Sequence, residues 1–163
     1  MMRRVVDTNV PIVANGRDTN ASVDCRLAAV KFLSRLCLRG ITVLDLGGEI
    51  QEEYRRNLNP RGQPGVGDRF YQIILHSAPS HVERVDLPID PLTGEYNDFP
   101  RARALANFDT SDRKFAAAAR RCGVPIANAT DTGWLDHYPA LKANGIMVEL
   151  VCGCDAAKWF EGE

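Results

Sequence analysis

Apolar positions first gather in RRVVD, residues 3–7, which reads as a short buried strand carried out to an aspartate. In residues 21–38, Leu27, Val30, Leu33 or Ser34, and Cys37 recur at a helical period, and Gly40 stops the helix. ITVLD (41–45) is a second strand, again ending on an aspartate. GEIQEEYRRNL (48–58) predicts an amphipathic helix with Ile50, Tyr54 and Leu58 on one face, ended by Asn59-Pro60. Residues 60–68 read as a loop, 70–78 as a short helix, 81–89 as a strand or extended arm, and the Pro- and Gly-punctuated 88–100 as irregular. A helix from about Thr110 to Cys122 ends at Gly123, and VPIANA (124–129) is a third strand. Residues 130–138 turn into a short helix, 145–151 form a last strand, and 155–162 a terminal helical turn.

Strands alternating with helices predict an α/β fold with a mainly parallel sheet. The 163 residues suit a single domain, 1–163, with an irregular insertion around 60–105 available for substrate loops. Apolar and charged content are those of an ordinary soluble globular protein. No run approaches the ~18 residues of a membrane span, and the apolar stretch after Arg4 is too short for a signal-peptide core. The expectation is a cytoplasmic protein without a membrane partner. The five cysteines then read as reduced core thiols. Cys152 and Cys154 stand too close for a CxxC motif, and His76, His81 and His137 have no metal-ligand spacing.

A net charge of −1 excludes a generally basic nucleic-acid coat. Its distribution says more. Between 101 and 121, Arg101, Arg103, Arg113, Lys114, Arg120 and Arg121 face only Asp109 and Asp112. That is a local positive rim beside a small acidic set.

In an open parallel sheet, ligands bind beyond the carboxyl ends of the strands. Asp7 ends the first strand, Asp131 follows the third, Asp112 opens the helix before it, and Glu49, Glu52 and Glu53 lie on the helix after ITVLD. Carboxylates brought together repel at a cost of several kcal/mol unless cations neutralise them. All-oxygen ligands select hard ions such as Mg²⁺ or Mn²⁺, and one ion, or a pair about 4 Å apart, activates water against a phosphodiester. Each residue also has a plainer reading. Asp109 and Asp112 suit a helix N-cap and first turn, Glu52 an ion pair with Arg55 or Arg56, and Asp131 a cap for the next helix. Asp45 and Asp136 suit turns or caps. Glu53 adjoins the apolar Ile50/Tyr54/Leu58 face, and Glu49 shares its side.

DTN at the end of the first strand, EEY after the second, DRKFAAAA at a helix start and TD after the next strand together resemble the PIN-domain nucleases. The resemblance covers nearly the whole chain. It implies a three-layer α/β/α sandwich around a parallel sheet of four or five strands, and a Mg²⁺- or Mn²⁺-dependent endonuclease acting on single-stranded RNA. It also implies Asp7, Glu53, Asp112 and Asp131 as the catalytic and metal-binding quartet, with Thr8, Asn9, Asp109 and Thr130 in support. Gly133 stands where close relatives often carry a further aspartate. Many family members are toxins silenced by an antitoxin protein and commonly dimeric. The surplus around 60–105 makes the chain longer than a minimal toxin.

Arg55, Arg56, Arg61, Arg113 and Lys114 are the candidates to hold an RNA backbone. Two other readings compete. One is a PIN-like binding module without activity. The other is a magnesium-dependent phosphatase, which needs a second aspartate two residues after Asp7, where this chain has Asn9.

Overall fold

In the computed structural model, which describes residues 1–17, 19–76 and 79–162, β1 (Met2–Val6) lies at the centre of a five-stranded sheet. Val5 and Val6 are fully buried, as an inner strand covered on both faces requires. On one side β1 pairs with β2 (Gly40–Asp45), and β2 with β3 (Val82–Val85). On the other it pairs with β4 (Ile126–Asn128), and β4 with β5 (Val148–Leu150). Every pairing is parallel, in the order β3-β2-β1-β4-β5. The expected α/β/α sandwich and its parallel sheet are what the chain adopts.

Three helices pack on one another in one layer: α1 (Asn9–Asn15), α2 (Val23–Arg39) and, after α3 (Glu49–Asn57), α4 (Val66–His76). Ser22 caps α2 by accepting from the Cys25 N–H at 3.1 Å. α5 (Arg113–Cys122) lies against β1 and β2 and packs on α3. Its residues Ala116 to Ala119 are all buried, so a strong helix former also lets the helix sit close on the sheet. α6 (Thr132–Asp136) and α7 (Tyr138–Ala143) lead into β5. No helix among the described residues is long and apolar enough to cross a membrane.

Three features of the elements differ from the sequence expectation. α1 reads in sequence as a β-branched run around a proline; its helix is supported by packing on α2 and α4. At one point α1 and α4 approach so closely that a Cβ on Gly67 would lie 1.9 Å from the Pro11 carbonyl oxygen. α4 begins at Val66, inside the expected loop, because the buried Asp68 accepts from the Asn59 and Gly65 N–H groups and from Arg17 at 2.8–3.0 Å. The stretch 60–105 therefore contributes a helix and an edge strand to the layers, and its irregular path is mainly 86–102.

The cysteine reading needs correction. Cys25 and Cys152 form a disulfide, with Cα atoms 4.9 Å apart, while Cys37, Cys122 and Cys154 are free. Residues 127 apart in sequence are brought together where the C-terminal segment straps the start of α2. There Ser22 bonds to the Lys158 and Trp159 carbonyls, and the Trp159 side chain is buried.

Candidate metal centre

The chain leaves β1 toward β2, on one side, and later enters β4 on the other. The β1 and β4 ends are therefore the switch point of the sheet, the place at the carboxyl edge where ligands of open parallel sheets bind. Asp7 is the first residue past β1, only 5 % exposed, and its N–H donates to the Ala127 carbonyl at 3.0 Å. Its Oδ1 accepts from the Asn9 N–H at 3.0 Å and its Oδ2 from the Trp134 indole N–H at 2.6 Å.

Asn9 ties this strand end to the neighbouring one. Its Oδ1 accepts from the Ala129 and Thr130 N–H groups, and its side-chain amide donates to Asn128 Oδ1 at 2.9 Å. The fully buried Asn128 in turn accepts from the Asp131 N–H and donates to the Asp131 carbonyl. Asp131 is thus held from behind, and its Oδ1 caps α6 by accepting from the Gly133 N–H at 2.9 Å. Asp112 arrives from a third direction, closing the 3-10 turn Thr110–Asp112 that leads into α5. Asp109 starts that turn by accepting from the Ser111 N–H and hydroxyl, both at 2.9 Å.

One carboxylate oxygen from each of Asp7, Asp112 and Asp131 lies within 4.8 Å of the others. Among the described residues none of the three takes a salt bridge, although basic side chains neutralise Glu53, Asp68 and Glu83. The electrostatic consequence is large. Burial, with Asp7 and Asp131 alongside, pushes the Asp112 carboxyl up to about 9. Burial also raises Asp7 to about 6, against the opposing hydrogen bonds from Asn9 and Trp134. Converging carboxylate oxygens suit a hard divalent ion, and these three aspartates could hold one.

No family model, curated protein or solved structure matches this chain.

Glu53 departs from the expected quartet. Its Oε1 accepts from Lys114 Nζ at 2.8 Å, and its Oε2 accepts from the Thr8 hydroxyl. It stands beside the triad with both oxygens engaged. Glu49 is exposed, and Glu52 pairs with Arg55 at 2.6 Å. Tyr54, next to Glu53, donates its hydroxyl to the Val6 carbonyl and so fixes α3 against the end of β1. Asp45 caps α3 through the Glu49 and Ile50 N–H groups.

The expected basic set also divides. Lys114 is buried and donates to Glu53 and to the Ser111 carbonyl at 2.6 Å, so it is not a surface phosphate ligand. Arg113 turns inward: it stacks 4.6 Å over Phe99, donates to the Ala106 and Phe108 carbonyls, and pins the 86–108 segment to the start of α5. Arg55, Arg56 and Arg61 are exposed, Arg55 with Glu52 as partner.

Two site residues escaped the sequence reading. Trp134 follows Gly133, and its indole grips Asp7. Asn128 ends an apolar strand, and an uncharged polar residue at a strand end was the one available signal.

Proposed function

We propose that the chain is a Mg²⁺- or Mn²⁺-dependent endoribonuclease of the PIN type, hydrolysing phosphodiester bonds of single-stranded RNA. The observation that supports this most is the convergence of the Asp7, Asp112 and Asp131 oxygens within 4.8 Å, with no salt bridge to any of them among the described residues. Asp7, Asp112 and Asp131 would hold the cation, which when bound supplies an activated water and charge stabilisation on the phosphate. Trp134 and Asn9 keep the Asp7 carboxylate in one orientation, and Asn128 does the same for the Asp131 backbone. Arg56 and Arg61, exposed, are the side chains left to hold the RNA backbone. The phosphatase reading is weaker, because Asn9 is committed to joining the β1 and β4 ends.

The deciding experiment incubates purified protein with unstructured and structured RNA in Mg²⁺, Mn²⁺ or EDTA. Cleavage of unstructured RNA is expected with either metal and is lost in EDTA and in Asp7→Asn. Cleavage that survives both treatments refutes the mechanism. Release of phosphate from small monoesters, without RNA cleavage, would favour the phosphatase. An unaltered cellular effect of Asp7→Asn would favour a binding module. A toxin role, with an antitoxin protein as partner and a homodimer as the unit, extends the same proposal. Co-expression of any short neighbouring reading frame and a solution mass test it.

A further inference from the structure

Glu53 and Lys114 form an ion pair at 2.8 Å whose side chains are only 17 % and 11 % exposed. Their remaining bonds go to the chain neighbours of two triad aspartates. Thr8, next to Asp7, donates to Glu53, and the Ser111 carbonyl, next to Asp112, accepts from Lys114. The pair is therefore built into the wall of the acidic site. Four carboxylates and one fixed ammonium stand together here.

We infer that the Lys114 ammonium occupies the role of a second divalent cation, so that the centre takes one metal ion on Asp7, Asp112 and Asp131, with Glu53 as the counter-ion of Lys114. The inference rests on reading the triad as a metal centre. A second ion bound through Glu53 would have to share its oxygens with the Lys114 ammonium and the Thr8 hydroxyl. With Lys114 still in place, a doubly charged ion would sit within a few Å of an ammonium in a poorly solvated wall, where like charges repel most strongly. One divalent ion together with Lys114 already offsets three of the four carboxylate charges. Lys114 is in these terms a positioning residue. It fixes the number of ions and holds Glu53 away from them.

Counting Mn²⁺ bound to the full-length protein by the paramagnetic resonance of free Mn²⁺ tests this without any activity measurement. One ion per chain is expected. Two per chain overturns the inference and leaves the metal centre standing, whereas none overturns the metal centre itself. That count needs no variant, so it decides even if substitutions unfold the protein. The double variant Glu53→Gln/Lys114→Met removes the pair with no change in net charge. It should still bind one Mn²⁺, with affinity changed by less than about threefold. A weakening of about tenfold or more would show that Glu53 ligates the ion. In Lys114→Met alone, Glu53 loses its counter-ion, and Mn²⁺ should bind more tightly or in a second equivalent. Unchanged affinity and count in a folded Lys114→Met protein would also overturn the inference.

Discussion

Replacing Asp112 by asparagine removes its ionisable carboxyl from the acidic edge while keeping its shape. In the folded protein the Asp112 carboxyl titrates at about 9, against 3.8 for a free aspartate. The folded state then keeps a proton that the unfolded chain gives up, so this group costs stability progressively as pH rises from 3.8 toward 9. At about pH 8 the ceiling on that cost is roughly 6 kcal/mol. Asp112 is half-buried, and solvent screening trims the ceiling to about a third, on the order of 2 kcal/mol. Asparagine carries no such cost. In EDTA at about pH 8 the variant should melt roughly 4–8 °C above the parent, taking about 2–4 °C per kcal/mol for a chain of this length. At about pH 5 the gain should shrink to about a third, because the unfolded aspartate is then much closer to protonation. Melting followed by circular dichroism at the two pH values checks this. With Mn²⁺ the order should reverse, since the parent gains a ligand-linked stabilisation that the variant lacks. A variant that melts lower in EDTA at pH 8, or gains equally at both pH values, would show that burial and charge crowding do not govern this residue.

Trp134→Phe deletes the indole donor to Asp7 Oδ2. It should lower stability by about 1–3 kcal/mol and weaken Mn²⁺ binding about tenfold, read by melting and metal titration. Asn128→Ala leaves the Asp131 N–H and the Asn9 amide without their acceptor, and a loss of roughly 2–4 kcal/mol is expected in denaturant unfolding. An unchanged midpoint would mean that water replaces Asn128 at no cost. Alkylation of the denatured, unreduced protein should label three cysteines, Cys37, Cys122 and Cys154, and five after reduction. Five labels before reduction would rule out the Cys25–Cys152 bond. Reduction should lower stability by about 2–4 kcal/mol.

The strands were legible because each apolar run stops on a polar residue at or just past the strand end: Asp7, Asp45 and Asn128. Parallel pairing puts those stops on one edge, so Asp7 and Asp131 could be gathered from the strand ends, and Asp112 from the start of the helix before β4. Lys114 could not be placed in this way. Beside Arg113 it reads as a basic surface, yet α5 is buried from Lys114 through Ala119, and its ammonium meets a glutamate 61 positions away. The inward turn of Arg113 depends on Phe99 and on carbonyls of an irregular segment, which no period announces. α1 was missed because its composition favours a strand and its helix depends on neighbours. The disulfide was missed for a related reason: a contact across 127 residues has no local signature.

The Cys25–Cys152 bond turns most of the chain into a covalent ring with two short tails. β2, β3, β4, β5, Asp112 and Asp131 all lie within the ring, whereas β1 and Asp7 belong to the N-terminal tail. A single protease cut in the irregular 86–102 stretch would open the ring without releasing a fragment, and the nicked halves would part on a gel only after reduction. The acidic edge is where the tail meets the ring. On the proposed reading, an ion shared by Asp7, Asp112 and Asp131 would act as a second clasp, fastening the central strand to a loop that sulfur has already closed.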